Sequence, residues 1–192
     1  VFMGDRLNRC AQLKPAMYLR GMEQILIDIY LNPDIAHAIF HRIAAFYAEY
    51  LQRTLEAAEG CIDIVFTGDD FGTQQNTFMP NPVWRSMLRE GFARFIDIGH
   101  AFGCRVAHHT CGSIMDLVPD FIECGLDILN PLQPEARNMD FRRLKAEYGR
   151  DLVFHGGISI QKTLPYGAPG DIQNEVKTCL EQLAQDGGYI LC

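Results

Sequence analysis

The strongest chemical signal in the sequence is a histidine and a cysteine separated by one residue, His109-Thr110-Cys111, at the end of a strand-like segment. Residues i and i+2 of a strand point to the same side, about 7 Å apart at Cα, so both side chains can reach one ion. Zn²⁺ accepts nitrogen and sulfur ligands, and it can bind a substrate thiol and remove its proton at neutral pH. A hydrogen-bonded core histidine beside a packed cysteine is the alternative. The following Gly112-Ser113, where a helix is predicted to start, favours the metal site.

Polar side chains also end two other predicted strands. Asp69 and Asp70 follow an apolar run, and His155 ends a later one. Each carboxylate could transfer a proton or contact substrate, or it could cap a turn or helix. An inward-facing imidazole could act as acid or base, although a core histidine is the commoner role. We predict Asp70 and His155, together with His109 and Cys111, as catalytic residues.

Three amide side chains follow the later strands and are predicted, with Asp69, to contact substrate. Asn130 and Gln133 lie in a proline-rich segment, and Gln161 lies beyond paired glycines. The prolines also favour a role for Asn130 and Gln133 in shaping the loop.

These residues can converge only if their strands lie side by side. Five apolar, β-branched segments alternate with amphipathic helical ones, without hairpin signals between them. The strand-like segments are 61–67, 105–109, 126–129, 152–155 and 189–191. Such a chain forms a parallel sheet covered by helices, as a barrel or a doubly wound sheet, with its site at the carboxyl ends of the strands.

The intervening helices are predicted from caps and apolar periodicity. They run from Asn32-Pro33 along Ile35 to Leu55, from Asn81-Pro82 to Phe102, from a Ser113/Asp116 capping box to Gly125, around 141–148, and over 171–185. Segment 164–167 is predicted as a loop. His37 and His41 are one turn apart but lack an acidic motif, which favours a solvated face over a metal site.

Composition excludes several classes of protein. The 192 residues are 48% apolar with a formal charge of -7, and no basic stripe is present to bind nucleic acid. No apolar run approaches the roughly 20 residues of a membrane helix. Seven irregularly spaced cysteines favour a reducing cytoplasm over a disulfide framework. No polar linker divides the chain, so we expect one domain over residues 1–192.

Several segments together resemble the uroporphyrinogen decarboxylase superfamily, and in particular its corrinoid-dependent methyltransferase-like branch. They are 109–112 (HTCG), 127–134 (DILNPLQP), 154–157 (FHGG), 187–191 (GGYIL), 19–22 (LRGM) and 68–73 (GDDFGT). The resemblance implies the C-terminal portion of a TIM-type (β/α)8 barrel with five parallel strands, lacking elements at both ends. Exposed strand edges would then favour self-association, as a homo-oligomer or otherwise.

The methyltransferase branch implies transfer of a methyl group between a corrinoid, such as methylcobalamin on a carrier protein, and a small thiol such as coenzyme M. His109 and Cys111 match the zinc-binding pair of that branch. Its third ligand lies beyond the last strand, past Cys192, and is not assigned.

The decarboxylase branch implies removal of acetate carboxyl groups from a porphyrinogen without a cofactor. Its members carry Gly-Asn-x-Asp-Pro where this chain has Gly-Ile-Ser-Ile after Gly156, and another residue at the position of Cys111. Both departures favour methyl transfer. A corrinoid- or tetrapyrrole-binding barrel without catalysis is the remaining alternative.

Overall fold

A computed structural model describes the backbone of residues 2–3 and all of residues 9–192. Its strands form one parallel sheet in which each strand pairs with the next along the chain. They are β1 (Phe2–Met3), β2 (Ile64–Gly68), β3 (Arg105–His109), β4 (Ile128–Leu132), β5 (Val153–Gly156) and β6 (Tyr189–Leu191). A doubly wound sheet reverses its strand order at a switch point, whereas a barrel does not. The sheet is therefore part of a (β/α) barrel.

Helices connect the strands. They are α1 (Leu13–Arg20), α2 (Met22–Leu31), α3 (Pro33–Ala57), α4 (Asn81–Met87), α5 (Arg89–Ala101), α6 (Val118–Glu123), α7 (Phe141–Tyr148), α8 (Thr163–Tyr166) and α9 (Pro169–Leu183), with a 3-10 turn over Met115–Leu117 before α6. The first three helices precede β2 and are joined by Asp28, a buried carboxylate. It accepts hydrogen bonds from Arg20 at 2.7 Å, from Gln24 at 2.8 Å and from Asn32 at 2.9 Å.

The strands divide their side chains between two faces. Thr67 pairs with His108, and both are buried towards the helices, as are Leu129 and Phe154. The register places Gly68, His109 and Asn130 side by side on the opposite face, at the carboxyl end of the sheet. This alternation turns His109 into the barrel interior, as its predicted role requires.

The structure confirms the five predicted strands to within a few residues and adds β1, which pairs with β2. The helices α1 and α2 were not predicted. Residues 164–167 were predicted as a loop, but Thr163–Tyr166 is a short helix. The predicted helix over 81–102 is two helices that break at Leu88.

Two predicted packing details are wrong. Ile35 is 46% exposed, because α3 turns Ala36, Phe40 and Ala44 into the core. Ser113 does not cap a helix: its backbone amide donates to the Thr73 carbonyl at 2.7 Å, and α6 begins five residues later.

Candidate metal centre

Three side chains of different chemistry meet at the carboxyl ends of β2 and β3. The ligand atoms of Asp70, His109 and Cys111 all lie within 4.8 Å of one another. His109 Nε2 is 3.4 Å from Cys111 Sγ and 3.7 Å from Asp70 Oδ1. Within the described part of the chain, no other group of three histidine, cysteine or acidic side chains meets this spacing. Nitrogen, sulfur and oxygen donors together fit Zn²⁺.

Asn130 orients the imidazole of His109. Its Oδ1 lies 2.8 Å from His109 Nδ1, and an amide oxygen only accepts hydrogen bonds, so Nδ1 carries the proton. The lone pair of Nε2 then faces Asp70 and Cys111. Burial lowers the pKa of His109, which keeps the ring neutral, as a metal ligand must be. Asn130 thus has a defined role that the sequence did not specify.

The two other members of the group carry protons differently. Burial, reinforced by the charge of Asp70, raises the pKa of the Cys111 thiol to about 11. A cation at this position would reverse that effect. Burial alone would raise the pKa of Asp70. The Cys111 amide and the Lys14 ammonium each donate a hydrogen bond of 3.0 Å to the Asp70 carboxylate, and they hold the pKa of Asp70 below its usual range. Asp70 is therefore an ionised carboxylate beside a protonated thiol.

Close packing between two loops fixes the position of Cys111. Gly112 has φ = +93°, and a Cβ there would lie 2.5 Å from the Thr73 carbonyl oxygen and 2.6 Å from the carbonyl carbon of Gly72. The Gly112 amide donates to Gln133 Oε1 at 2.9 Å. The carbonyl oxygen of the Gln133 side chain thus supports the loop that carries Cys111, which agrees with the loop-shaping alternative, and substrate contact by Gln133 stays a prediction.

Asp69 caps a helix. Its buried carboxylate accepts hydrogen bonds from the amides of Gln12 at 2.7 Å, Leu13 at 2.6 Å and Lys14 at 2.9 Å, at the start of α1. Burial, which these amides only partly oppose, raises its pKa to about 6. The geometry supports the capping alternative that the sequence left open, and substrate binding by Asp69 stays a prediction. Through this cap, Asp69 holds α1 where Lys14 donates to Asp70 of the candidate site.

The remaining predicted residues lie around this group. Gln161 and Gln133 line a cavity of about 280 Å³ that also reaches Cys111 and Cys192. Cys192 is not among the three clustered donors. His155 lies on the inner face with its ring 6.1 Å from that of Phe66, outside the clustered donors, and burial lowers its pKa. A catalytic role for His155 and substrate contact by Gln161 stay predictions.

A second cavity, of about 400 Å³, reaches His109 and Asp70 from the side of α1. It is lined by Arg9, Lys14 and Tyr18, which the sequence analysis did not single out. Pro15 in the first turn of α1 was the available signal, because proline favours the start of a helix.

The geometry thus defines a partial (β/α) barrel with a candidate zinc site at the carboxyl ends of its strands. Residues 12–192 match the family model described as uroporphyrinogen decarboxylase (URO-D), so the chain belongs to the URO-D family. No curated protein gives a significant match to the sequence. In the described residues, no helix has both the length and the apolarity to cross a membrane.

Among solved structures, a methyltransferase from Methanosarcina mazei shares the fold. It matches with a TM-score of 0.73 at 16% sequence identity, over 94% of this chain and 50% of the other. The chain thus spans about half the length of that structure. The match confirms the expected partial barrel.

Proposed function

We propose that the protein is a zinc-dependent methyltransferase that moves a methyl group between a corrinoid and a thiol acceptor. The observation that carries this proposal is the convergence of Asp70, His109 and Cys111 on one point, with His109 held in its ligand tautomer by Asn130. Membership of the URO-D family and the likeness to a structure titled methyltransferase support it.

The donor set fits the metal. Sγ of Cys111, Nε2 of His109 and Oδ1 of Asp70 would hold zinc, and an open position would remain for substrate, as catalytic zinc sites require. Bound zinc would lower the pKa of an acceptor thiol so that the thiolate forms at neutral pH. Asp70 supplies a third donor within the chain, where the sequence offered only His109 and Cys111 as ligands.

The protein's own groups pre-organise this site. Asn130 fixes the imidazole, Gln133 fixes the loop of Cys111, and Lys14 balances the charge of Asp70. Rigid placement of this kind lowers the entropic cost of bringing donor and acceptor together.

The two cavities would separate donor and acceptor. The cavity at Cys111 is lined by side-chain amides, Gln74, Gln133 and Gln161, and by the apolar Ile158 and Ile160. Amides can pair with the peripheral amides of a corrinoid, presented by a carrier protein, while the apolar residues contact its ring. The cavity at His109 and Asp70 is left for the acceptor.

The test is transfer of the methyl group from methylcobalamin to simple thiols by the zinc-loaded protein. We expect the rate to fall at least a hundredfold in Cys111→Ser. Cys61→Ser is the matched control, because Cys61 is exposed and precedes β2 at the opposite end of the sheet. Equal rates for Cys111→Ser and the unchanged protein would refute the proposal.

The family description favours decarboxylation of a porphyrinogen as the second candidate. Decarboxylation would proceed without a metal, whereas the proposed methyl transfer needs zinc. Release of CO₂ from uroporphyrinogen by the chelator-treated protein would support decarboxylation, whereas tight cobalamin binding without methyl transfer would indicate a binding protein.

A further inference from the structure

Two histidines that the proposed function does not use lie in a small polar cleft between helices. His37 and His41 are one turn apart on α3, and both line a cleft of about 50 Å³ with Glu90 and Arg94 of α5. The sequence alone favoured a solvated face for this histidine pair. Both side chains are exposed, but the fold also gives them a carboxylate and the buried amide of Gln12 as neighbours.

Close packing of α3 against α5 holds the walls of this cleft in place. A Cβ on Gly91 would clash with Gln12 Oε1 and would lie 2.8 Å from the Ala44 Cβ on α3, so glycine permits the approach. Glu90 directly precedes Gly91, and Ala44 follows His41 by three residues, which is close to one helical turn. The contact therefore sets the carboxylate of α5 beside the histidine-bearing turns of α3.

The polar groups of the cleft have unused donor and acceptor atoms. Within the part of the chain that the structure describes, neither histidine has a hydrogen bond or an ion pair, and Glu90 does not pair with Arg94, one turn along α5. Gln12 is 3% exposed, and its Nε2 donates to the Leu88 carbonyl at 3.0 Å. Its Oε1 accepts no hydrogen bond from a described residue, so this oxygen is available to a group bound in the cleft.

The donor set and the size of the cleft point to a metal ion. Two histidines four residues apart on a helix present their imidazoles on one face, where both can bind one ion. Imidazole and carboxylate ligands together suit Zn²⁺. A cleft of about 50 Å³ has room for an ion with a water molecule and none for a corrinoid or a porphyrinogen. The carboxylate of Glu90 also disfavours an anion.

We infer that His37, His41 and Glu90 form a second zinc site, among the outer helices and independent of the proposed function. Their donor atoms do not all lie within 4.8 Å of one another, so the exposed side chains must rotate to bind, which exposed side chains do rapidly. The site lacks a thiolate, and Arg94 repels a cation, so it binds zinc more weakly than the candidate zinc site. Dialysed protein therefore keeps one zinc per chain, and excess zinc fills the cleft.

Zinc in the cleft would stabilise the packing behind the cap of α1. The ion would link α3 to α5 beside Gln12, whose backbone amide donates to Asp69 at 2.7 Å. A ligand that binds only the folded chain stabilises it increasingly as its concentration exceeds Kd. At a zinc concentration about 100-fold above the Kd of the cleft, Tm should rise by roughly 5 °C or more.

The test is calorimetric titration of zinc into the chelator-treated protein, where we expect a tight and a weaker binding event. His41→Gln or Glu90→Gln should weaken the second event at least tenfold and remove the associated rise in Tm. Glu181→Gln, at an exposed position of α9, is the matched control and should leave both events within twofold. A weaker event that is unchanged in folded His41→Gln and Glu90→Gln, or no weaker event in the unchanged protein, would overturn the inference.

Two further variants separate this site from the candidate zinc site and from an anion site. Cys111→Ser should weaken the tight event alone, so a failure of the proposed function leaves the test of the cleft intact. Arg94→Met removes a positive charge and should raise the zinc affinity of the weaker event at least twofold. If Arg94→Met instead lowers that affinity, or if the cleft binds inorganic phosphate and not zinc, the inference is wrong.

Discussion

Removing the acceptor that orients His109 should weaken zinc binding without unfolding the protein. Asn130 is 6% exposed and its Oδ1 lies 2.8 Å from His109 Nδ1. Asn130→Leu keeps a similar volume but leaves the Nδ1–H without an acceptor. Loss of such a ligand-orienting partner weakens metal binding about 10- to 100-fold, or roughly 1.4–2.7 kcal/mol.

The assay is a zinc titration against a chromophoric chelator. Asn130→Asp is the matched control, because a carboxylate still accepts from Nδ1, and its zinc affinity should equal or exceed that of the unchanged protein. Thermal melting of both variants checks that the barrel remains folded. If folded Asn130→Leu binds zinc within twofold of the unchanged protein, His109 is not a ligand oriented by Asn130.

Three further predictions concern stability. Asp69→Asn should lower the free energy of unfolding, measured in urea, by about 1–3 kcal/mol, because it weakens the cap of α1. Asp63→Asn, at an exposed position, should leave the free energy of unfolding almost unchanged. Equal losses in the two variants would contradict the capping role. Gly112→Ala should lower the free energy of unfolding by at least ~2 kcal/mol, because φ is positive at Gly112 and backbone atoms occupy the place of a Cβ. Gly170→Ala in α9 is the control and should leave the protein equally stable or more stable. A Gly112→Ala variant as stable as the unchanged protein would contradict the close packing at Gly112. Hydrogen bonds from Arg20, Gln24 and Asn32 lower the pKa of Asp28 from its ordinary value of 3.8 to about 2. The stabilisation of the fold by ionised Asp28 is therefore complete above about pH 4 and is lost as the pH falls towards 2. The stability gap between the unchanged protein and Asp28→Asn should therefore narrow over that range, and a constant gap would contradict the assignment.

The strands were predictable because their signal is local. Each is a short β-branched run that ends in glycine, proline or polar residues, and the order of strands and helices restricted the topology to parallel arrangements. The pairing of His109 with Cys111 was also predicted from local sequence, by assuming that both residues lie in one strand. In the structure β3 ends at His109, and Cys111 lies two residues beyond it in a loop. Long-range contacts were needed for the rest of the site.

Asp70 shows the limit of the sequence. It could be proposed as catalytic from its position after a strand, but its place beside His109 depends on the register of β2 with β3 and on the bond from the Cys111 amide. Asp69, one residue earlier, faces α1 instead, and no local pattern separates these two roles. The acceptor role of Asn130 likewise depends on the register of β3 with β4.

The N-terminal helices were missed for a different reason. In α1 and α2, apolar residues lie on the exposed face as well as on the buried one, so the helical periodicity of the sequence is weak. Tyr18, Leu19 and Leu31 are such exposed apolar residues. Because α1 carries Lys14, and Arg9 lies just before α1, the positive side chains that line the cavity beside His109 and Asp70 could not be predicted.

The most direct test of the account is the X-ray absorption spectrum at the zinc edge of the purified protein, together with its zinc content. We predict one zinc per chain with a single sulfur ligand at about 2.3 Å and nitrogen and oxygen ligands at about 2.0–2.2 Å. The sulfur contribution should disappear in Cys111→Ser and persist in Cys61→Ser. Absence of stoichiometric zinc, or an unchanged sulfur contribution in Cys111→Ser, would contradict a metal centre at Asp70, His109 and Cys111.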